Sequence, residues 1–229
     1  MPIRNSFTLL LISALLLACS PESSEPVAVT TETEPVDDTE IVATVYDWHA
    51  RGYSAGETTI TRSGDGRVVT NSFVHWNNRE YTVNSELQLD ADGMVVAHTI
   101  SGISPFGAPI DESFSYRDGE AEWQTRGESG NAQRATGGFY VPNEWGAVGS
   151  IEAMVQSGIK QIDGELPLFP AGTARIEKLS DVALVSPDGE KTVSLYAIHG
   201  IDFTPLFAWF NEDMSIFARD FGRMGMVPE

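Results

Sequence analysis

The chain has 229 residues, with 33 acidic and 14 basic side chains, a formal net charge of −19 and one cysteine. This length suffices for one ordinary domain or a tight pair, and the acidic balance with scattered Lys and Arg argues against a nucleic-acid partner. A single cysteine excludes an internal disulfide and a cysteine-based zinc site.

The N-terminus predicts export and a lipid anchor. A basic start precedes an apolar run over residues 7–18, too short to span a bilayer as a helix, and the run ends Leu16-Leu17-Ala18-Cys19. That ending resembles the lipobox of bacterial lipoproteins, whose cysteine is acylated and becomes the mature N-terminus. The resemblance implies a signal peptide over residues 1–18, a lipidated Cys19 and, because Ser20 follows, the outer membrane facing the periplasm of a Gram-negative bacterium. An ordinary signal peptide that contains a cysteine is the alternative.

Residues 19–40 are expected to form a lipidated, disordered tether. Residues 20–40 contain seven acidic side chains, three prolines and no basic residue. Such a stretch buries too little apolar surface to offset the entropy of ordering, and its like charges and prolines favour extended conformations. Cation binding is the alternative, but the spacing of a calcium loop is missing.

From residue 41 the hydropathy pattern changes to the alternation of half-buried strands. Between Arg79 and Leu89, the apolar positions 81, 83, 87 and 89 alternate with polar ones, which places the apolar side chains on one face of an extended strand. Similar alternation recurs along the chain near residues 68–76, 94–100, 110–116 and 121–123. Asp-Gly pairs and Asn77-Asn78 separate these segments and favour tight reversals, so the pattern predicts an antiparallel meander over residues 57–126.

One segment in the second half has helical spacing instead. Asn143 is the candidate N-cap, Gly158 the predicted end, and the apolar face comprises Trp145, Val148, Ile151, Met154 and Val155. An apolar loop over residues 166–172 is expected next, followed by strands at 174–178, 182–186 and 192–201 and a hairpin around 211–213.

The fold class that these elements predict is mainly β. We expect a strongly twisted antiparallel sheet, a half-barrel-like meander, wrapped around one apolar helix that closes its concave face. Residues 41–229 are expected to form this single β-rich domain, and the last residues, 222–229, show no obvious capping element.

Catalytic and metal-binding motifs are not readable in the sequence. The four histidines have no His-x-His spacing, and there is no nucleophile elbow or phosphate-binding glycine loop. No catalytic residue, metal ligand or cofactor is therefore assigned. Asp111-Glu112 and Glu120-x-Glu122 bring carboxylates near one another. Adjacent carboxylates on a strand point to opposite faces, however, and a solvated edge explains Glu120 and Glu122 more simply.

Four residues remain as candidates for a functional or structural role: Glu112, Trp123, His98 and His199. Glu112 lies on a strand with apolar alternate positions, so it should face the core and either pair with an arginine or backbone amide or become protonated. Trp123, with Trp145 and Trp209, is expected to anchor the core. The two histidines are either buried, hydrogen-bonded core residues or members of a site formed by spatial convergence.

A family resemblance rests on several short motifs spread from residue 42 to 221. They are Gly107-x-Pro109-Ile110-x-Glu112-x-Phe114, Gly119-x-Ala121-x-Trp123, Phe139-Tyr140-Val141-Pro142, Leu166-x-Leu168-x-Pro170-Ala171-Gly172, and Leu195–Ile201 running into Pro205–Phe210. Together they resemble the N-terminal β-rich module of bacterial exported amidohydrolases. In that family the module precedes a metal-dependent barrel, but this chain has no His-x-His and lacks the about 250 residues that a barrel needs. Zinc or a similar ion is implied only if such a barrel exists elsewhere.

Three functions follow as hypotheses. The first is an outer-membrane-anchored module, non-catalytic by itself, that supports a metal-dependent hydrolase. The second is a carrier or receptor that holds an apolar or lipid ligand in the concave face of the sheet. The third is a free-standing hydrolase with a site built from His98, His199 and nearby acids, so the sequence leaves enzymatic activity undecided.

Overall fold

The structure is a computed structural model, and it describes residues 41–143, 147–186, 189–220 and 224–228. Most of these residues are in strands, because alternating apolar and polar side chains suit a sheet with one covered face. Along the first half of the chain the strands are β1 Ile41–Ala50, β2 Tyr53–Ser63, β3 Arg67–Trp76, β4 Arg79–Leu89, β5 Val95–Ile103, β6 Pro109–Arg117, β7 Glu120–Gln124 and β8 Ser129–Gln133.

The second half contains a helix between short strands. Its elements are β9 Phe139–Tyr140, α1 Val148–Gly158, a 3-10 turn Ile162–Gly164, β10 Glu165–Phe169, β11 Thr173–Ser186, β12 Gly189–His199, β13 Leu206–Phe210, β14 Ile216–Asp220 and β15 Met224–Pro228. Among the described residues, no helix is both long enough and apolar enough to cross a membrane.

All fifteen strands join one sheet in the order β8-β7-β6-β5-β4-β3-β2-β1-β15-β14-β13-β12-β11-β10-β9. Strands that are adjacent in this order pair antiparallel, except that β9 and β10 run parallel, and β1 lies between β2 and β15. The predicted fold class is confirmed: the protein is mainly β, with one twisted, mostly antiparallel sheet and a helix. The sheet is not closed.

Tight turns explain why the first eight strands form a meander. Asp118 and Gly119 have φ values of 54° and 84°, and Asn77 and Asn78 have 52° and 58°. Positive φ at both central residues is typical of the two-residue hairpin turn whose twist matches that of the strands. The predicted antiparallel meander over residues 57–126 is confirmed by the continuous pairing from β2 to β7.

The helix lies in the concave face of the sheet. Its side chains Val148, Met154 and Val155 are fully buried and belong to the hydrophobic core. A Cβ atom on Gly149 would overlap Oγ1 of Thr70 on β3, and one on Gly158 would overlap Ile176 on β11. Glycine at these two positions lets α1 pack closely between opposite walls of the sheet.

The start of the helix differs from the prediction. The helix begins at Val148 after Ala147, which makes no side-chain capping hydrogen bond, and it ends at Gly158 as predicted. The Asn143 N-cap is wrong, because the helix begins at Val148 and Ala147 occupies the N-cap position. The Asn143 backbone N–H instead donates to the Glu112 carboxylate at 3.0 Å. Trp145 lies outside the described residues.

Three further expectations are corrected. The apolar segment at 166–172 is in part strand β10, which pairs with β11 through Leu166 and Ala174. The two strands expected within 174–186 are a single strand, β11, with an irregularity between Lys178 and Ser180. Residues 224–228 form β15, which connects β1 to β14 through backbone pairing.

The two end strands of the sheet lie in different surroundings. The Val95 backbone N–H donates to the Gly138 carbonyl at 3.2 Å, which brings the segment before β9 against β5. The sheet therefore curls back on itself at β5, and β6, β7 and β8 continue past that contact.

Candidate functional site

The carboxylate of Glu152 accepts several hydrogen bonds in the interior, on the helix face turned towards β2 and β14. Glu152 is 1% exposed. Arg62 of β2 donates to it through both Nε and Nη2, and the Ile216 backbone N–H donates to Oε2 at 2.8 Å. A planar guanidinium fits a carboxylate in this two-bond arrangement. The pair thus fastens α1 to two distant strands.

Tyr46 and Thr44 of β1 complete this interior network. The Tyr46 hydroxyl donates to the Ile216 carbonyl at 2.9 Å, and Arg62 Nη1 donates to Thr44 Oγ1 at 3.0 Å. Burial lowers the pKa of Arg62, but the hydrogen bond and charge of Glu152 outweigh it and the pKa is raised. Burial, reinforced by the Glu152 charge, also raises the pKa of Tyr46. The network therefore keeps Arg62 charged and Tyr46 protonated at neutral pH.

Glu112, predicted to face the core, lies on the inner face of β6 and is 5% exposed. Its Oε1 accepts hydrogen bonds from the Tyr140 hydroxyl and from the Asn143 backbone N–H. Of the two partners that the sequence allowed, the structure has the backbone amide rather than an arginine. Burial and the neighbouring carboxylate raise the pKa of Tyr140, so the phenol stays protonated and remains a donor. The hydrogen bonds of Glu112 to Tyr140 and Asn143 connect β6 to β9 and to the segment that follows β9.

His98 lies on the inner face of β5, 1% exposed. Its Nε2 is 2.8 Å from Ser85 Oγ on β4 and 3.4 Å from Ser150 Oγ on α1, while Nδ1 has no hydrogen-bond partner among the described residues. Burial lowers the pKa of His98 to about 4, so the ring is neutral at pH 7. The arrangement contains hydroxyl groups beside an imidazole, but it is enclosed in the core.

Aromatic rings join Glu112 and His98 into one region of the interior. Tyr140 stacks on Phe114 of β6 with a centroid distance of 4.5 Å, and its edge approaches the His98 ring at 6.2 Å. Phe169 of β10 packs against Phe114 at 5.4 Å. These contacts hold β9 and β10 against the inner face of β5 and β6.

Trp123 is half-buried on β7, beyond this aromatic region. Its indole lies over Gly130 of β8, where a Cβ atom would overlap the ring. On the opposite face of β6–β8 is a shallow groove of about 390 Å³ with exposed polar residues that include Ser113, Ser115 and Asn131. The end of the sheet therefore combines an aromatic inner face with a polar outer face.

His199 lies in a different environment from His98. It is on β12, and its Nε2 is 3.0 Å from Oε2 of Glu177 on β11, which also binds Arg175. Both partners lower the pKa of Glu177, with Arg175 the larger contributor. Among the described residues, no three His, Cys, Asp or Glu side chains form a group that could hold a metal ion.

The other predicted residues divide between described and undescribed parts of the chain. Trp209 is half-buried on β13, opposite Leu195 and Ala218 of the neighbouring strands. Cys19 and the tether, as well as the signal peptide, lie outside the described residues.

Sequence reasoning missed the Arg62–Glu152 pair. Glu152 follows Ile151 but is not part of the predicted apolar face of the helix, and Arg62 lies between Thr61 and Ser63 of β2. One weak signal was available, because Arg62 continues the alternation of Thr58 and Ile60 and thus belongs to the inner face of the strand. Buried Arg219 of β14 was also missed.

Solved structures include a chain that is similar to this one. A solved chain from Brucella abortus, a beta-barrel-like protein of the domain of unknown function DUF1849, is 13% identical, with a TM-score of 0.49. The match covers 83% of this chain and 95% of that chain. No family model matches the sequence, and no curated protein matches it.

The resemblance to the N-terminal module of exported amidohydrolases is therefore wrong. The structural neighbour is a DUF1849 protein and not such a module, and neither a family model nor a curated protein supports the resemblance. The motifs that suggested it are short strands with their turns, and chains of alternating strands produce such matches readily.

Proposed function

We propose that the chain is a lipid-anchored, non-catalytic binding module of the bacterial envelope, held at the outer membrane through Cys19. The lipobox-like Leu16–Cys19 run and the acidic, proline-containing stretch over residues 20–40 support the anchor and the tether. Each buried methylene of an acyl chain contributes about 0.8 kcal/mol, so two or three chains give a nearly permanent attachment. The tether would leave the folded domain free to meet partners in the periplasm.

The observation that carries the non-catalytic part is that both buried glutamates accept hydrogen bonds from groups of the fold itself. Glu152 is bound by the Arg62 guanidinium and the Ile216 N–H, and Glu112 by the Tyr140 hydroxyl and the Asn143 N–H. A catalytic acid or base must reach a substrate and exchange a proton with it. These carboxylates instead connect the helix and the strands, which favours a scaffold with its contacts on the outer surface and edges.

The carrier hypothesis requires free space in the concave face of the sheet. That face contains α1, whose Val148, Met154 and Val155 side chains are buried in the core. The close approach of Gly149 to Thr70 and of Gly158 to Ile176 leaves the helix little room to withdraw for a ligand. The geometry therefore favours an external binding surface over an internal ligand.

The membrane part is tested by fractionation of cells that produce the full chain. We expect the wild type and a Ser20→Ala control in the membrane fraction, and Cys19→Ser in the soluble fraction. Membrane association that survives Cys19→Ser would contradict the anchor.

The binding part is tested on the purified full chain. Native mass spectrometry should detect no copurified apolar molecule, and a panel of amide and ester substrates should remain uncleaved. Hydrolysis that disappears in Glu112→Gln while the melting temperature is unchanged would make the protein an enzyme and overturn the proposal.

A further inference from the structure

Strand β8 is an unusually accessible edge of the sheet. Among the described residues it pairs with β7 alone, in a regular register without a bulge. Its sequence, Ser129-Gly130-Asn131-Ala132-Gln133, contains no charged residue and no proline. Natural edge strands are usually protected by lysine, proline or a bulge against pairing with another chain. In β8 these protective features are missing.

The hydrogen bonds that flank the hairpin fix which backbone groups face outward. The Arg134 N–H donates to the Gly119 carbonyl at 2.9 Å, and the Thr125 N–H donates to the Glu128 carbonyl at 2.8 Å. In an antiparallel ladder, hydrogen-bonded pairs recur at every second residue, so Gly130 and Ala132 direct their N–H and C=O groups towards β7. The backbone groups of Ser129, Asn131 and Gln133 therefore point to the free edge.

The two faces beside this edge differ in chemistry. On the inner face Gly130 and Ala132 are small, and the neighbouring Trp123 indole remains partly exposed. On the outer face Glu122 lies opposite Asn131 and Glu120 lies opposite Gln133, and both glutamates are exposed. An added strand would thus meet an aromatic surface on one side and carboxylates on the other.

We propose that β8 binds an extended, basic peptide segment of a partner protein as an additional antiparallel strand. Backbone hydrogen bonds to the outward groups of β8 provide affinity, while side chains at alternate positions provide specificity. Lys or Arg on the outer face pairs with Glu122, whose cross-strand neighbours Ser115 and Asn131 are uncharged, and apolar side chains on the inner face pack beside Trp123. This inference rests on the proposed function, since it names the partner class of the binding module.

A second copy of the chain is a poorer occupant of the same edge. Each copy carries a formal net charge of −19, so two copies repel, whereas a basic segment is attracted. A stable dimer also needs roughly 1,200 Å² of buried surface, more than a strand of five residues offers.

The test uses the detergent-solubilised full chain and a labelled peptide of alternating Lys and Val residues, with fluorescence anisotropy as the readout. Asn131→Pro removes an outward N–H but no bond to β7, and proline is tolerated at such edge positions. It should weaken binding about tenfold or more, the effect of one lost backbone hydrogen bond with added steric exclusion. Asn131→Ala keeps the N–H and should bind like the wild type.

Both variants should melt at the wild-type temperature, which separates a binding effect from unfolding. A Glu/Val peptide should bind more weakly than the Lys/Val peptide, and added salt should reduce the difference. Equal binding of Asn131→Pro and wild type, or no binding by the wild type, would overturn the proposal. A dimer detected by sedimentation that Asn131→Pro dissociates would assign the edge to self-pairing instead. Failure of the envelope-module proposal would appear separately, in the fractionation and hydrolysis assays.

Discussion

The sheet around α1 and the sheet end at β6–β8 use their polar groups differently. Around the helix, Arg62 and the Ile216 N–H both donate hydrogen bonds to the buried Glu152 carboxylate. At the sheet end, Asn131 and its alternate neighbours turn backbone groups away from β7, and the outer face carries exposed carboxylates. A domain whose internal polar groups are satisfied gains a defined shape, and groups left at an edge are available for a partner. The first region thus contributes to stability, and the second is where we propose that a partner binds.

Removal of one member of the buried ion pair should give the largest effect. Arg62→Met leaves the Glu152 carboxylate in the core without its cation, and breaking such a pair costs about 3–5 kcal/mol. The free energy of unfolding, measured by urea denaturation, should fall by that amount. The matched control is Arg67→Met, which breaks the solvent-exposed pair with Glu86 and should change stability very little. Equal losses in the two variants would mean that the buried Arg62–Glu152 pair contributes no more to stability than the exposed Arg67–Glu86 pair.

Acid should lower the free energy of unfolding because His98 is protonated more readily in the unfolded chain than in the folded protein. The pKa of His98 is lowered to about 4 in the folded protein and is near 6.5 in the unfolded chain, so the unfolded chain binds a proton first as the pH falls. The His98 contribution is fully present above pH 6.5 and is lost progressively down to about pH 4, with a total on the order of 3 kcal/mol.

Stability measured from pH 7 to pH 4 in wild type and His98→Gln isolates this contribution. The free-energy difference between the two proteins should shift by a few kcal/mol in favour of the variant over this range. A pH-independent difference would show that His98 is accessible and able to ionise in the folded state. His199→Gln, at a partly exposed site beside Glu177, serves as the comparison histidine variant.

An added methyl group should lower the free energy of unfolding at the helix but not in the β7–β8 turn, and the difference should be smaller than for the buried ion pair. A methyl group at Gly149 would overlap Thr70, so Gly149→Ala should lower the free energy of unfolding by about 1–3 kcal/mol. Gly127, in the β7–β8 turn, has open space around the position of an added Cβ. Gly127→Ala should leave the thermal midpoint close to that of wild type. An unchanged free energy of unfolding in Gly149→Ala would show that α1 is loosely packed against β3.

The Glu112→Gln substitution should give the smallest loss in the free energy of unfolding. Glu112→Gln keeps an acceptor oxygen for the Tyr140 hydroxyl and the Asn143 N–H but loses the charge, so we expect a loss of about 1 kcal/mol. Thermal unfolding with Glu122→Gln as the exposed control measures it. An unchanged melting temperature in Glu112→Gln would contradict its buried, paired state.

Local pattern was enough to predict the meander and the interior position of Glu112. Each strand from β2 to β7 pairs with the next one in the chain, so alternation and turn residues determine the pairing. The β1–β15 pairing joins distant segments, and no local signal identifies such a partner. Glu152 was missed because a glutamate beside an apolar helix face is normally solvated, and its burial depends on Arg62, ninety residues earlier in the chain.

Strand β8 also could not be predicted from the local sequence pattern. Ser129, Asn131 and Gln133 alternate with Gly130 and Ala132, so the segment has almost no contrast in hydropathy and resembles a loop in sequence. Its position depends on the Thr125–Glu128 turn and on pairing with β7. The short-motif resemblance failed for a related reason, because strands and turns carry little information about family.

Amide hydrogen exchange along β8, followed by NMR, tests the difference between a bonded interior and an available edge most directly. We expect alternation along the strand: the Gly130 and Ala132 amides exchange slowly, and the Ser129, Asn131 and Gln133 amides exchange rapidly. The Ile216 amide, which donates to Glu152, should be among the slowest. Protection of Asn131 equal to that of Ala132 in the isolated protein would show that the edge of β8 is already covered and is not available to a partner.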